Sequence, residues 1–171
     1  MKRIVYESFQ DYLNKEISKY ITFAVTHEST KSGSQIFNSL YKMCSNIERI
    51  SDHAINIADY SKMITEKKIV FSAQAQEEIV ELQKICDKLF MVLLEKDDDV
   101  ISWHERIACM EQKMDDVTAL YRNNMFARIQ SGACSDEGSV LFSEMLTDFE
   151  RIGDHALNIS KEIVNISINE R

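Results

Sequence analysis

One thirteen-residue string occurs twice. Residues 46–58 read N-I-E-R-I-S-D-H-A-I-N-I-A and residues 148–160 read D-F-E-R-I-G-D-H-A-L-N-I-S, with eight of thirteen positions identical. Self-similarity of this kind means that one structural unit is present in two copies, so the fold must be one that a duplicated unit can build. In both strings the apolar residues recur at three- and four-residue spacing, which places each copy on an amphipathic helix.

Turn chemistry narrows the fold further. The 171 residues contain no proline and four glycines, where average usage would supply about eight and about twelve. A β-sandwich or barrel needs far more turn residues than this. At 44% hydrophobic residues the chain can still bury a core. The expectation is an all-α protein of few, long helices, an elongated PhoU-like helical bundle by the resemblance set out below. Helices near 30 residues span roughly 45 Å each.

Five segments carry helical periodicity, at about 3–28, 35–65, 73–96, 103–131 and 139–169. On the first, Tyr6, Phe9, Leu13, Ile17, Tyr20, Ile21 and Ala24 share a face. Residues 27–34 read as the first turn with Gly33 in it, and residues 132–138 as the last. Ser72 is placed to N-cap the third helix, and Ser102 with Glu105 reads as a capping box opening the fourth. The repeated strings fall on the second and fifth helices. By correspondence the first helix matches the fourth, where Glu7 and Asp11 align with Glu111 and Asp115.

The two copies are unequal. Residues 1–66 hold two helices and residues 67–171 hold three, so the first repeat lacks its first helix and should expose an apolar groove. The chain reads as a fragment whose missing helix lies upstream. In isolation a second protomer should cover the groove, making a homo-oligomer.

Each of the four corresponding helices carries Glu and Asp one turn apart: Glu7/Asp11, Glu48/Asp52, Glu111/Asp115 and Glu150/Asp154. Like charges at i and i+4 repel, and a hard cation or a basic partner would offset the repulsion. Random placement of these acids would give about one such pair by template counting, and six occur. The other two, Glu95/Asp99 and Glu144/Asp148, read as solvated charge. The bland alternative for all of them is solvated or salt-bridged surface acid. His53 and His155 follow their Asp directly and fit a surface or supporting role better than ligation. Arg49 and Arg151 suit intrahelical pairing, and Asn56 and Asn158 suit hydrogen bonds between helices.

Several function classes fall away. A formal charge of −8 leaves no basic stripe for nucleic acid. No apolar run approaches the roughly 20 residues of a membrane span, and no signal-peptide core follows Met1. Cys44, Cys86, Cys109 and Cys134 are scattered, which fits reduced thiols rather than a disulfide frame or zinc site. No His has Glu three residues before it, so di-iron carboxylate chemistry lacks its ligand motif. Neither a phosphate-cradling loop nor a nucleophile elbow is present, and no enzymatic activity is expected.

The string E-R-I-G-D-H-A-L-N-I at 150–159, with its near copy at 48–57, resembles the signature of the PhoU family. The resemblance implies two three-helix bundles related by an internal repeat. It implies that Glu7, Asp11, Glu48, Asp52, Glu111, Asp115, Glu150 and Asp154 are candidate ligands for multinuclear iron or another divalent transition metal. It also implies regulation of phosphate uptake or signalling, at the inner face of the plasma membrane, with a phosphate transporter as partner. The run Tyr121-Arg122-x-x-Met125-x-x-Arg128-Ile129-x-x-Gly132-x-Cys134 is similar to the PhoU-like cytoplasmic tail of sodium/phosphate cotransporters, which carry His at Met125 and Leu at Ile129. The transporter would then be the membrane domain of the same chain. Ser51 departs from the Gly153 of the second copy. A stand-alone phosphate-signalling regulator and a metal-free structural interaction module are the alternatives.

Overall fold

The computed structural model describes residues 2–95 and 97–169, with side chains from residue 11 onward. Five helices and no strand occur among the described residues: α1 Lys2–His27, α2 Lys31–Glu66, α3 Ala73–Leu93, α4 Val100–Gln130 and α5 Asp136–Asn169. The all-α expectation holds. Of 36 residues, α2 is roughly 54 Å long at the standard rise.

Side-chain caps set the helix boundaries, and several lie earlier than the periodicity suggests. Thr30 caps α2 by accepting from the Gly33 amide at 3.0 Å, so the turn before it is only 28–30 and Gly33 is helical. Asp99, not Ser102, caps α4: its Oδ1 accepts from the Ser102 amide at 3.2 Å, and Ser102 lies inside the first turn. An ionised Asp at an N-terminus gains from the helix dipole as well as the hydrogen bond, and outcompetes the Ser three residues on. Ser72 caps α3 as its position predicts, accepting from Ala75 N at 3.2 Å. The last turn is shorter than expected because α5 starts at Asp136, which leaves Gly138 helical and buried. Gly132 ends the preceding helix with φ +68°, the left-handed conformation of a helix stop, and its amide bonds Ile129 O at 3.0 Å.

The core sits among α3, α4 and α5. Leu82, Leu89, Ile107, Met114 and Leu146 are sealed from solvent, and burial of each is worth about 1.5–3 kcal/mol. Trp103 Nε1 donates to Val92 O at 2.8 Å and ties the start of α4 to the end of α3. Copy one is different. On α1 only Ile21 is buried, while Leu13, Ile17 and Tyr20 of the expected apolar face stay exposed, and Tyr6 and Phe9 lie outside the described side chains. Among the described residues α1 packs on α2 alone.

The two repeat helices, α2 and α5, make the most extensive contact in the molecule. They run antiparallel. Ser32 Oγ donates to Asn169 O, Lys42 pairs with Glu162 at 3.1 Å, His155 meets Asn46, His53 meets Asp148, and Lys67 pairs with Glu137. The register brings position 46 of copy one against position 155 of copy two, and its repeat equivalent 148 against 53. The duplicated helices therefore meet through an internal twofold relation, as two subunits of a symmetric dimer would.

Candidate functional site

Two kinds of polar cluster surround this α2–α5 contact: the paired carboxylates, and a histidine centre on the internal twofold. At the histidine centre, the His53 and His155 rings stack with centroids 5.6 Å apart. His53 Nδ1 donates to Asp148 Oδ1 at 2.6 Å, and Asn56 Nδ2 donates to the same oxygen at 3.3 Å. On the other side of the twofold, His155 Nδ1 donates to Asn46 Oδ1 at 2.9 Å. Burial lowers the pKa of His155, and the neighbouring His53 and Arg49 lower it further. Burial also pushes the Tyr60 phenol up to about 12, with the adjacent Asp148 carboxylate adding to the shift.

Asp148 corrects the sequence reading. It is 5% exposed rather than solvated, and its Oδ2 has no hydrogen-bond partner. The signal that would have found it lies in the repeat: positions 46 and 148 open the two strings and are the amide and acid versions of one residue. The histidines likewise link the copies instead of facing solvent. Asn56 makes the interhelical bond expected of it. Glu78 and Arg128 form a second pair that sequence reasoning missed, 2.8 Å apart and both buried, with Asn124 Nδ2 donating to Glu78 at 2.7 Å.

The second-copy acids come together between α4 and α5. Burial raises the Glu111 carboxyl, and Asp115 and Asp154 raise it further against the opposing Lys161. Asp115 is raised by burial and then by Glu150, Asp154 and Asp116, with Arg122 opposing. Its Oδ1 is buried without a hydrogen-bond partner. Arg122 Nη2 lies 2.7 Å from Glu150 Oε2 as an ion pair while donating its hydrogen bond to Thr147 Oγ1. Arg151 Nη1 pairs with Asp154 at 3.0 Å. Gly153 is buried on α5, and a Cβ there would stand 3.6 Å from Glu111 Cγ and 3.7 Å from Met114 Cβ, which is ordinary contact. Glycine is thus not required for α4 to approach, in keeping with Ser51 at the equivalent place.

The first-copy acids are spread out. Glu48 accepts from Asn14 Nδ2 at 2.6 Å and links α2 to α1. Asp11 and Asp52 are exposed, and the Glu7 side chain lies outside the described residues. Among the described residues no three His, Cys, Asp or Glu side chains converge closely enough to hold a metal ion. The donor set of Glu111, Asp115, Glu150 and Asp154 is all carboxylate, with one buried unpartnered oxygen. That chemistry suits a hard cation, but Arg122 and Arg151 already engage two of the four acids.

The comparisons bear on the helix pair that carries the first copy. The PhoU domain model matches residues 6–61. That segment spans most of α1 and α2, including Glu7, Asp11, Glu48 and Asp52. The chain is also 28% identical over 160 residues to the phosphate-specific transport system accessory protein PhoU homolog 1 of Thermotoga maritima, covering 91% of this chain and 67% of the relative. No solved structure matches. Among the described residues no helix is long and apolar enough to cross a membrane.

Proposed function

We propose that this chain is a PhoU-type regulatory domain that adjusts phosphate uptake through a phosphate transporter. The extent of the similarity carries the reading: it reaches far beyond residues 6–61, to 91% of the chain, and the relative is named for accessory work in phosphate-specific transport. The antiparallel α2–α5 core supports a regulatory rather than a catalytic part, since its buried polar groups are spent on joining the copies. We read residues 1–66 and 67–171 as the two copies. In this reading the chain works in the cytoplasm at the inner membrane face, as the tail of a sodium/phosphate cotransporter. Eight or more hydrophobic spans upstream in the full reading frame would support the tail reading, and their absence would favour a stand-alone regulator. The regulatory reading is tested by sedimentation of the purified chain with membrane vesicles. Vesicles containing the phosphate transporter should retain it, and equal retention by transporter-free vesicles would overturn the proposal.

A second reading rests on the unpartnered Asp115 oxygen and the raised Glu111 and Asp115 carboxyls. Glu111, Asp115, Glu150 and Asp154 would hold a divalent transition metal, iron being the resemblance's expectation, in competition with Arg122 and Arg151. A bound cation would supply the positive charge that lets all four acids ionise together. Metal analysis of protein purified without chelator should give at least one equivalent, reduced by combining Asp52→Ala with Asp154→Ala. Less than one equivalent, unchanged in the double variant, would leave a metal-free interaction module.

A further inference from the structure

The outer face of α1 is the largest apolar feature left uncovered. Tyr12 is 59% exposed, Leu13 40%, Ile17 42%, Tyr20 71% and Phe23 62%. On the helical wheel these five lie within an arc of roughly 140°, turned away from the stripe that meets α2, which carries Asn14 and Ile21. Such a band is far more apolar and aromatic than a solvated helix face needs, and exposed patches of this kind mark interaction sites.

The internal repeat shows what such a face does in the other copy. By the correspondence of α1 with α4, residues Ile17, Tyr20 and Ala24 match Tyr121, Asn124 and Arg128. In copy two those three residues dock a helix. Tyr121 Oη donates to Glu81 at 2.6 Å, and Asn124 and Arg128 both donate to Glu78, all on α3. Copy one has the same face and, among the described residues, no helix on it.

The chemistry of the face selects its occupant. An acidic helix like α3 would bring carboxylates against Ile17, Tyr20 and Ala24, which offer one hydroxyl and no cation or amide. Buried carboxylates left without partners are costly. The occupant must itself be apolar along its stripe, and α1 satisfies this. We propose that a second copy of this chain docks here, the two α1 helices packing antiparallel about a twofold axis. Antiparallel packing centred near Ile17 sets Glu16 of each chain opposite Lys19 of the other, whereas parallel packing would set Glu16 against Glu16. Glu16 and Lys19 are exposed, and each now pairs only within its own helix at 2.7 Å. Burying the five side chains removes roughly 550 Å² per protomer, about 1,100 Å² for the pair, which clears the size of a specific interface.

Sedimentation equilibrium of the chain across about 1–100 μM tests this, the range in which an interface of this size should hold. The expected result is a dimer at twice the 19.8 kDa chain mass. Ile17→Glu with Tyr20→Glu should weaken dimerisation by at least ~100-fold with helix content by circular dichroism unchanged. Met91→Glu, on the exposed face of α3, should remain dimeric. Should the double variant unfold α1, Ile17→Cys decides instead: oxidation should cross-link two chains above the wild-type background. A monomeric wild type, a dimer indifferent to the double variant, equal loss with Met91→Glu, or no added cross-linking from Ile17→Cys would each overturn the proposal.

Discussion

Replacing Asp148 probes the joint between the two copies. Its carboxylate is 5% exposed and accepts from His53 at 2.6 Å and Asn56 at 3.3 Å. Hydrogen bonds to a charged acceptor contribute about 1.5–3 kcal/mol, and a neutral one about 0.5–1.5 kcal/mol. Asp148→Ala loses both bonds and leaves the His53 Nδ1–H facing a small void. Because the His53 side chain is 22% exposed, water recovers part of that loss, and a net cost of about 2–3 kcal/mol follows. Asp148→Asn should cost less than about 1 kcal/mol, because Asn46 already serves His155 in just this way across the twofold. The assay is urea unfolding followed by far-ultraviolet circular dichroism and by fluorescence of the buried Trp103, at constant m-value. Combining Asp148→Ala with His53→Ala should show a coupling energy of at least ~1 kcal/mol. Equal costs for the Ala and Asn variants, or no coupling, would refute the view that this contact joins the copies through hydrogen bonding.

Three further outcomes follow from the structure. Gly153→Ala should stabilise by about 0.5–1 kcal/mol, since helix propensity gains and the new methyl meets Glu111 and Met114 at ordinary contact distance; thermal unfolding measures it. Asp99→Ala should cost about 1 kcal/mol and Ser102→Ala little, because the cap of α4 is Asp99. Glu111 and Asp115 have carboxyls raised in the folded state. Stability from their neutral forms is therefore fully present below their unfolded values and is lost as pH rises through the folded ones. Asp115→Asn should stabilise metal-free protein at pH 7 by about 0.2–0.5 kcal/mol per relieved acid pair and flatten the dependence on the acid side, read as Tm against pH.

The helices were legible because their apolar periods are long and uninterrupted by proline. Their starts were less so: Thr30 and Asp99 compete with Ser34 and Ser102 as caps, and only the backbone path decides between them. The repeat exposed the acids as a set, but not which of them meet. That depends on the antiparallel register of α2 on α5, a tertiary fact with no local signature. Asp148 shows the cost of reading one helix at a time. On its own wheel it stands apart from Glu150 and Asp154, and only the facing His53 explains why an acid is buried there. The apolar stripe of α1 was correctly read as apolar, yet periodicity alone could not tell that Tyr20 and Phe23 would face outward.

The most direct test of the account is phosphate uptake by cells that express the parent protein with residues 1–171 intact or deleted, measured with external phosphate scarce and then abundant. The account predicts that cells with the segment change their uptake rate between the two conditions and that cells without it do not. An identical response in both would contradict a role in controlling phosphate transport.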